Sequence, residues 1–209
     1  MSSPHARTNP IVWIDCEMTG LDERDELIEI AIVVTDSELN PLDEGIDLVI
    51  KPSDEALENM GDFVRNMHVS SGLLPELEGG MTLAEATEAA LSYLRTHVPK
   101  GIAPLAGNSV ATDKFFLMKD TPEIVDYLHY RIIDVSSIKE LAKRWYPTVY
   151  NCAPDKTGNH RAIGDIFDSI DELRYYRSAL LPAEDLAKEA AHKTAKQISD
   201  DRARERVSD

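Results

Sequence analysis

The stretch "IVWIDCEM" (residues 11–18) puts two carboxylates into an apolar run. Strand side chains alternate faces, so Trp13, Asp15 and Glu17 point one way and Val12, Ile14, Cys16 and Met18 the other. A buried, unpaired carboxylate costs on the order of several kcal/mol, so a cation is expected over the pair. Hard divalent ions such as Mg2+ take one or two carboxylates and complete their shell with substrate phosphate and water. Two such ions, roughly 3.5–4 Å apart, clamp the attacking and leaving oxygens of a phosphodiester. Two acids on one strand are too few for that chemistry, and more must converge from elsewhere.

Composition alone supplies a competing explanation. With 20 Asp and 18 Glu in 209 residues, about two Asp-x-Glu triplets arise by chance. Two are present. Asp36/Glu38 falls where an apolar run dissolves into "TDSELNP" and reads as a solvated turn. Asp15/Glu17 lies inside its run, just before the turn "TGLD", and reads as a metal site; the bland alternative is an edge strand with one wet face.

Further candidates follow along the chain. "AGNSVATDKFFLMK" offers Asp113, after a buried-looking strand and a turn holding Gly107, Asn108 and Ser109. Ligands bind at such strand ends, although Ser109 as a helix cap and Asp113 as a first-turn acid would account for the same residues. "NHRAIGDIFDSIDEL" offers His160 and Asp165. Five residues of continuous helix separate two side chains by about 140°. The two serve one site only if His160 precedes the helix, with Asn159 after Gly158 as its cap. An exposed acidic face of Asp165, Asp168 and Glu172 competes. His68 lies in the glycine-containing loop "NMHVSSGLL".

The elements that must position these residues can be read from pattern. "IVWIDCEM", "LIEIAIVVTD" and "IDLVIKP" are strand-like and joined by short, turn-rich connections, which suits an antiparallel meander. Helices and strands then alternate. "TLAEATEAALSYLRTHV" opens with a capping box, Thr82 and Glu85, and keeps Leu83, Ala86, Ala90 and Leu94 on one face. "IAPLAGNS" is a strand running into a helix at "VATDKFFLMKD". Thr121 caps "TPEIVDYLHY" with Pro122 at its first position, "RIIDV" is a strand, and Ser137 with Glu140 caps "IKELAKRW". After the loop "YPTVYNCAPDKTGN", Ile163, Ile166, Phe167, Ile170, Leu173 and Leu180 form a long apolar stripe. Three strands followed by alternation imply a mixed sheet covered by helices. Residues 1–181 read as one domain and residues 182–209 as a polar, partly helical C-terminal appendage.

The formal charge is −16, with no basic stripe. That argues against a groove for long nucleic acid, whose affinity comes mostly from phosphate neutralisation. Cys16 and Cys152 suggest neither a zinc site nor a disulfide framework. With no signal-peptide core and no apolar run of membrane-spanning length, a cytoplasmic protein without a membrane partner is expected.

In this order, Asp15-x-Glu17, Asp113 and His160-x₄-Asp165 resemble the histidine branch of the DEDD superfamily of 3′→5′ exonucleases. "WIDCEMTGLD", "GNS", "YRIIDVSSIKELAKRW" and "HRAIGDI…ELRYYR" are similar to the oligoribonuclease family within it, over roughly residues 10–181. The resemblance implies an α/β, ribonuclease H-like fold: a mixed five-stranded sheet flanked by helices. It implies two Mg2+ or Mn2+ ions held by Asp15, Glu17, Asp113 and Asp165, with His160 as general base. An imidazole, whose unperturbed pKa is near neutrality, suits that role. The implied substrates are short RNA oligonucleotides, above all dinucleotides, cut to 5′-mononucleotides by a homodimer. Ser109, Arg131, Ser136 and His68 would hold the 5′-phosphate and Tyr130 would come from the neighbouring subunit. Leu21 would wedge between the bases while Phe63 stacks on one. A dinucleotide needs no basic track, which fits the charge.

Three positions depart from the family pattern. Phe63 stands where Trp is usual, "KFFL" with Phe115 stands where two basic residues precede the Phe, and Phe167 stands where Arg is usual. Two other readings remain open: a proofreading-type 3′→5′ DNA exonuclease of the same superfamily, and a non-catalytic acidic dimer that docks on a basic partner.

Overall fold

A computed structural model describes residues 9–156 and 160–208 of the chain. Strands β1 (Ile11–Met18), β2 (Leu27–Thr35) and β3 (Ile46–Val49) form the expected antiparallel meander. Strands β4 (Pro104–Gly107) and β5 (His129–Asp134) add to the other side in parallel, giving one sheet in the order β3-β2-β1-β4-β5. β1 is therefore the middle strand. The edge-strand explanation of its acids fails.

The helices are α1 (Asp54–Asn59), α2 (Asp62–Ser70), α3 (Leu83–His97), α4 (Ala111–Asp120), α5 (Pro122–Tyr127), α6 (Val135–Trp145), α7 (Pro147–Asn151), α8 (Ala162–Leu180) and α9 (Glu184–Ser208), with α3 and α4 packed on one face of the sheet and α6 and α8 on the other. The short α1, α2 and α7, and a 3₁₀ segment at Leu74–Gly79, escaped the sequence reading. Helices this short complete too few turns to display a 3.6-residue period. Among the described residues no helix is long and apolar enough to cross a membrane.

The alternation along β1 sorts its side chains as expected. Val12, Ile14 and Cys16 pack with Ala90 and Leu94 of α3 and Phe116 and Leu117 of α4. Trp13 packs on the other face with Ala31 and Val33 of β2, Ala142 of α6 and Ile166, Ile170 and Tyr176 of α8. Asp15 and Glu17 share that second face, towards α8. The α8 stripe is narrower than its sequence suggests, because Phe167 is 38% exposed.

The caps are a mixed result. The Thr82–Glu85 box forms in both directions. Thr121 occupies the cap position of α5 before Pro122, but its hydroxyl donates back to the Leu117 carbonyl. Asp134, not Ser137, caps α6, accepting the Ser136 N–H at 2.9 Å. Val110 precedes α4, so Ser109 is no helix cap. Asp36 belongs to a turn but is buried rather than solvated. Burial alone would raise its pKa, and hydrogen bonds from Asn40 and Glu38 hold it below the usual range instead. Replacing Thr82 by Ala should cost about 1 kcal/mol, read by calorimetry as a fall in Tm of roughly 2–4 °C.

Candidate active site

Asp15 and Glu17 project from the middle strand and Asp165 from the first turn of α8, and ligand atoms of the three lie within 4.8 Å of one another. An acid in a helix's first turn sits well with the positive end of the macrodipole. Asp113, in the first turn of α4, is buried and joins from the β4 side. Its Oδ1 accepts the Cys16 N–H at 3.0 Å. The parallel pairing of β1 with β4 covers Val12 and Trp13. Beyond it the Asp113 side chain takes up a β1 amide that no strand partner would satisfy.

These acids resist ionisation together. Burial, then the charges of Asp113, Asp165, Glu17 and Glu29, push Asp15 up to about 9. Burial, then Glu29 and the two aspartates, push Glu17 up to about 8, against the pull of Arg161. Burial raises Asp113 to about 6 despite the hydrogen bond from Cys16. Asp165 is raised by burial too, with His160 and Lys156 opposing. An all-oxygen donor set whose members repel one another when ionised fits a hard divalent cation.

His160 precedes α8, as the spacing required, with a backbone φ of 50°. The cap position falls on Arg161; Asn159 and Gly158 lie outside the described residues. The imidazole is near enough to Asp165 to oppose the rise that burial causes in its pKa.

Ser109 and Ser136 are brought together. Ser136 Oγ accepts the Ser109 N–H at 2.9 Å and lies 3.1 Å from Ser109 Oγ. Ser109 also takes a left-handed φ of 54° and donates its N–H to Asp134. Behind them Asn108 accepts from Ser136 and donates to Ser169 and Glu172, while Lys139 and Lys156 flank Glu172 at 3.1 and 3.2 Å. Arg131 and Tyr130 project exposed from β5, with the guanidinium carbon 5.5 Å from the Tyr130 ring centre. Leu21 and Phe63 are 74% and 81% exposed.

His68 differs from its expectation. It lies in the last turn of α2 rather than in a loop, and it is fully buried. Its Nε2 is 2.9 Å from the Met18 carbonyl, and its Nδ1 is 4.0 Å from Glu17. It reaches the cluster from beneath Glu17, and its hydrogen bonds do not include Ser109 or Ser136.

A loop at Thr19–Glu26 carries Leu21 and is pinned from two sides. Glu26 accepts from Ser53 at the start of α1, and Lys119 of α4 donates to the carbonyls of Glu23 and Asp25. A cleft of about 540 Å³ beside this loop is lined by Leu21, Arg24, Ser53 and Val64, and by none of Asp15, Glu17, Asp113 and Asp165.

The model of the RNase_T exonuclease family matches residues 12–173. An oligoribonuclease of Streptomyces griseus is 60% identical over 188 residues, spanning 87% of this chain and 94% of that protein. The chain belongs to the oligoribonuclease family. Another oligoribonuclease, of Streptomyces coelicolor, is 61% identical over 172 residues, 81% of this chain and 86% of its own. The solved complex of exonuclease I of E. coli with single-stranded DNA has the same fold (TM-score 0.63, 15% identity, 83% of this chain). The chain spans 41% of that larger protein. The acidic cluster thus sits on a fold shared with an exonuclease.

Two participants were missed from the sequence. Glu29, fully buried on β2, is the direct cross-strand neighbour of Glu17, and Arg161 pairs with it at 2.8 Å. Glu29 sits in a strand buried along its whole length. Periodicity therefore offers no signal for it, and its partner is 132 residues away.

Proposed function

We propose that the protein hydrolyses very short RNA from the 3′ end, above all dinucleotides, to 5′-mononucleotides. The observation that carries this is the convergence of Asp15, Glu17, Asp113 and Asp165 beside His160 in a member of the oligoribonuclease family. The four carboxylates would hold two Mg2+ or Mn2+ ions, which activate water and stabilise the leaving oxygen when bound. His160 takes the proton of the attacking water and stands ahead of α8, free of that helix's hydrogen-bond ladder. Ser109 and Ser136 present paired hydroxyls to the 5′-phosphate, with Arg131 as the counter-charge. Leu21 separates the bases and Phe63 stacks on one. Tyr130, 73% exposed, completes the phosphate pocket of a second copy in a cytoplasmic homodimer. His68, fully buried with its Nδ1 4.0 Å from Glu17, stands with the metal ligands rather than with the phosphate. Residues 1–181 make up the exonuclease domain, with 182–209 as an appendage.

The test is turnover of 5′-phosphorylated RNA of two, three, seven and twenty nucleotides, with Mg2+ or with EDTA. Metal-dependent cleavage that falls steeply above two nucleotides is expected. Equal rates at all lengths would sink the closed pocket, and preference for long single-stranded DNA would favour a proofreading-type exonuclease. No cleavage at any length would overturn the enzyme itself.

A further inference from the structure

Arg161 stands between the proposed base and the helix that carries Asp165, and its guanidinium grips three elements at once. Nε donates to Glu29 Oε1 on β2 at 2.8 Å. The two terminal nitrogens donate to the two oxygens of Glu76, in the 3₁₀ segment, at 3.1 Å each. Nη2 also lies 3.5 Å from Asp47 Oδ2 on β3. Glu29 gives its second oxygen to the N–H of Ala162, the first residue of α8, at 2.9 Å. A fully buried carboxylate is tolerated only with such partners, and a planar fork is the side chain suited to hold several at once.

The neighbouring residue is His160, whose φ of 50° lies in the left-handed region. A non-glycine residue persists there only where its surroundings over-determine it. On its C-terminal side Arg161 is held by β2, β3 and the 3₁₀ segment, and Ala162 is tied to the same Glu29.

We infer that Arg161 is a positioning residue for His160, its grip on Glu29, Asp47 and Glu76 fixing the backbone that aims the imidazole at the carboxylate cluster. This rests on the reading of His160 as general base. A different route exists, since the guanidinium charge also bears on Glu17. That route runs through the metal ligands and would operate with His160 absent.

A double-mutant cycle separates the two. Arg161→Met should lower kcat for a 5′-phosphorylated dinucleotide by roughly 100-fold, with KM and Mn2+ affinity near those of wild type. In the His160→Ala background the same change should cost less than about twofold, because the group it aims is gone. Glu76→Gln loosens one arm from the exposed side; it should give a smaller loss that also vanishes without His160, and it keeps the test usable if Arg161→Met folds poorly. A loss of undiminished size in the His160→Ala background, or weakened Mn2+ binding, would overturn the inference while leaving His160 as the base. If His160→Ala alone costs little, the base assignment and the inference fall together.

Discussion

Asp15→Asn is expected to abolish turnover and, in the metal-free protein, to raise the thermal midpoint. Burial and four neighbouring acids hold the Asp15 pKa at about 9 in the fold. A carboxyl raised in this way contributes stability that is fully present below its unfolded value, near 4, and is lost as pH rises towards 9. At pH 7 to 8 the metal-free fold therefore carries a penalty on the order of a few kcal/mol, which an uncharged Asn removes. We expect a Tm roughly 5 °C or more above wild type in EDTA at pH 8, and little difference at pH 4. Adding Mn2+ should reverse the order, because bound metal stabilises the wild type in proportion to the logarithm of its concentration. Equal Tm values in EDTA at pH 8 would show that Asp15 is not strained by its neighbours.

His160→Ala is expected to act on chemistry alone. Loss of a general base should lower kcat by roughly 100- to 10,000-fold, with KM for the dinucleotide and Mn2+ affinity nearly unchanged. Single-turnover cleavage and Mn2+ titration distinguish the two substitutions: Asp15→Asn should weaken metal binding, and His160→Ala should not. Loss of Mn2+ binding on removal of His160 would make the imidazole a ligand instead.

What was legible beforehand follows the range of each signal. The two-residue alternation of "IVWIDCEM" was enough to place Asp15 and Glu17 on one face, and the five-residue gap from His160 to Asp165 was enough to set the helix start between them. Those arguments use neighbours in sequence. Capping was ambiguous wherever two candidates lay within a turn, so Asp134 displaced Ser137 and Val110 displaced Ser109. Ser109 instead spends its amide on Asp134 and Ser136, which lie on β5 and α6. His68 was misplaced because a short helix ending near Gly72 resembles a loop in sequence. Glu29 and Arg161 were invisible for a deeper reason: a buried charge is understood only through its partner, and the pairing is decided by the sheet.

The bond from the Cys16 amide to Asp113 has a spectroscopic consequence. A backbone proton of the middle strand reports directly on one oxygen of a proposed metal ligand. Its chemical shift should move when Asp113 gains a proton or a cation, in a resonance shielded from bulk solvent by burial of both partners. In an isotope-labelled sample, the amide of Cys16 is thus a built-in indicator of site occupancy, readable without substrate, turnover or an added probe.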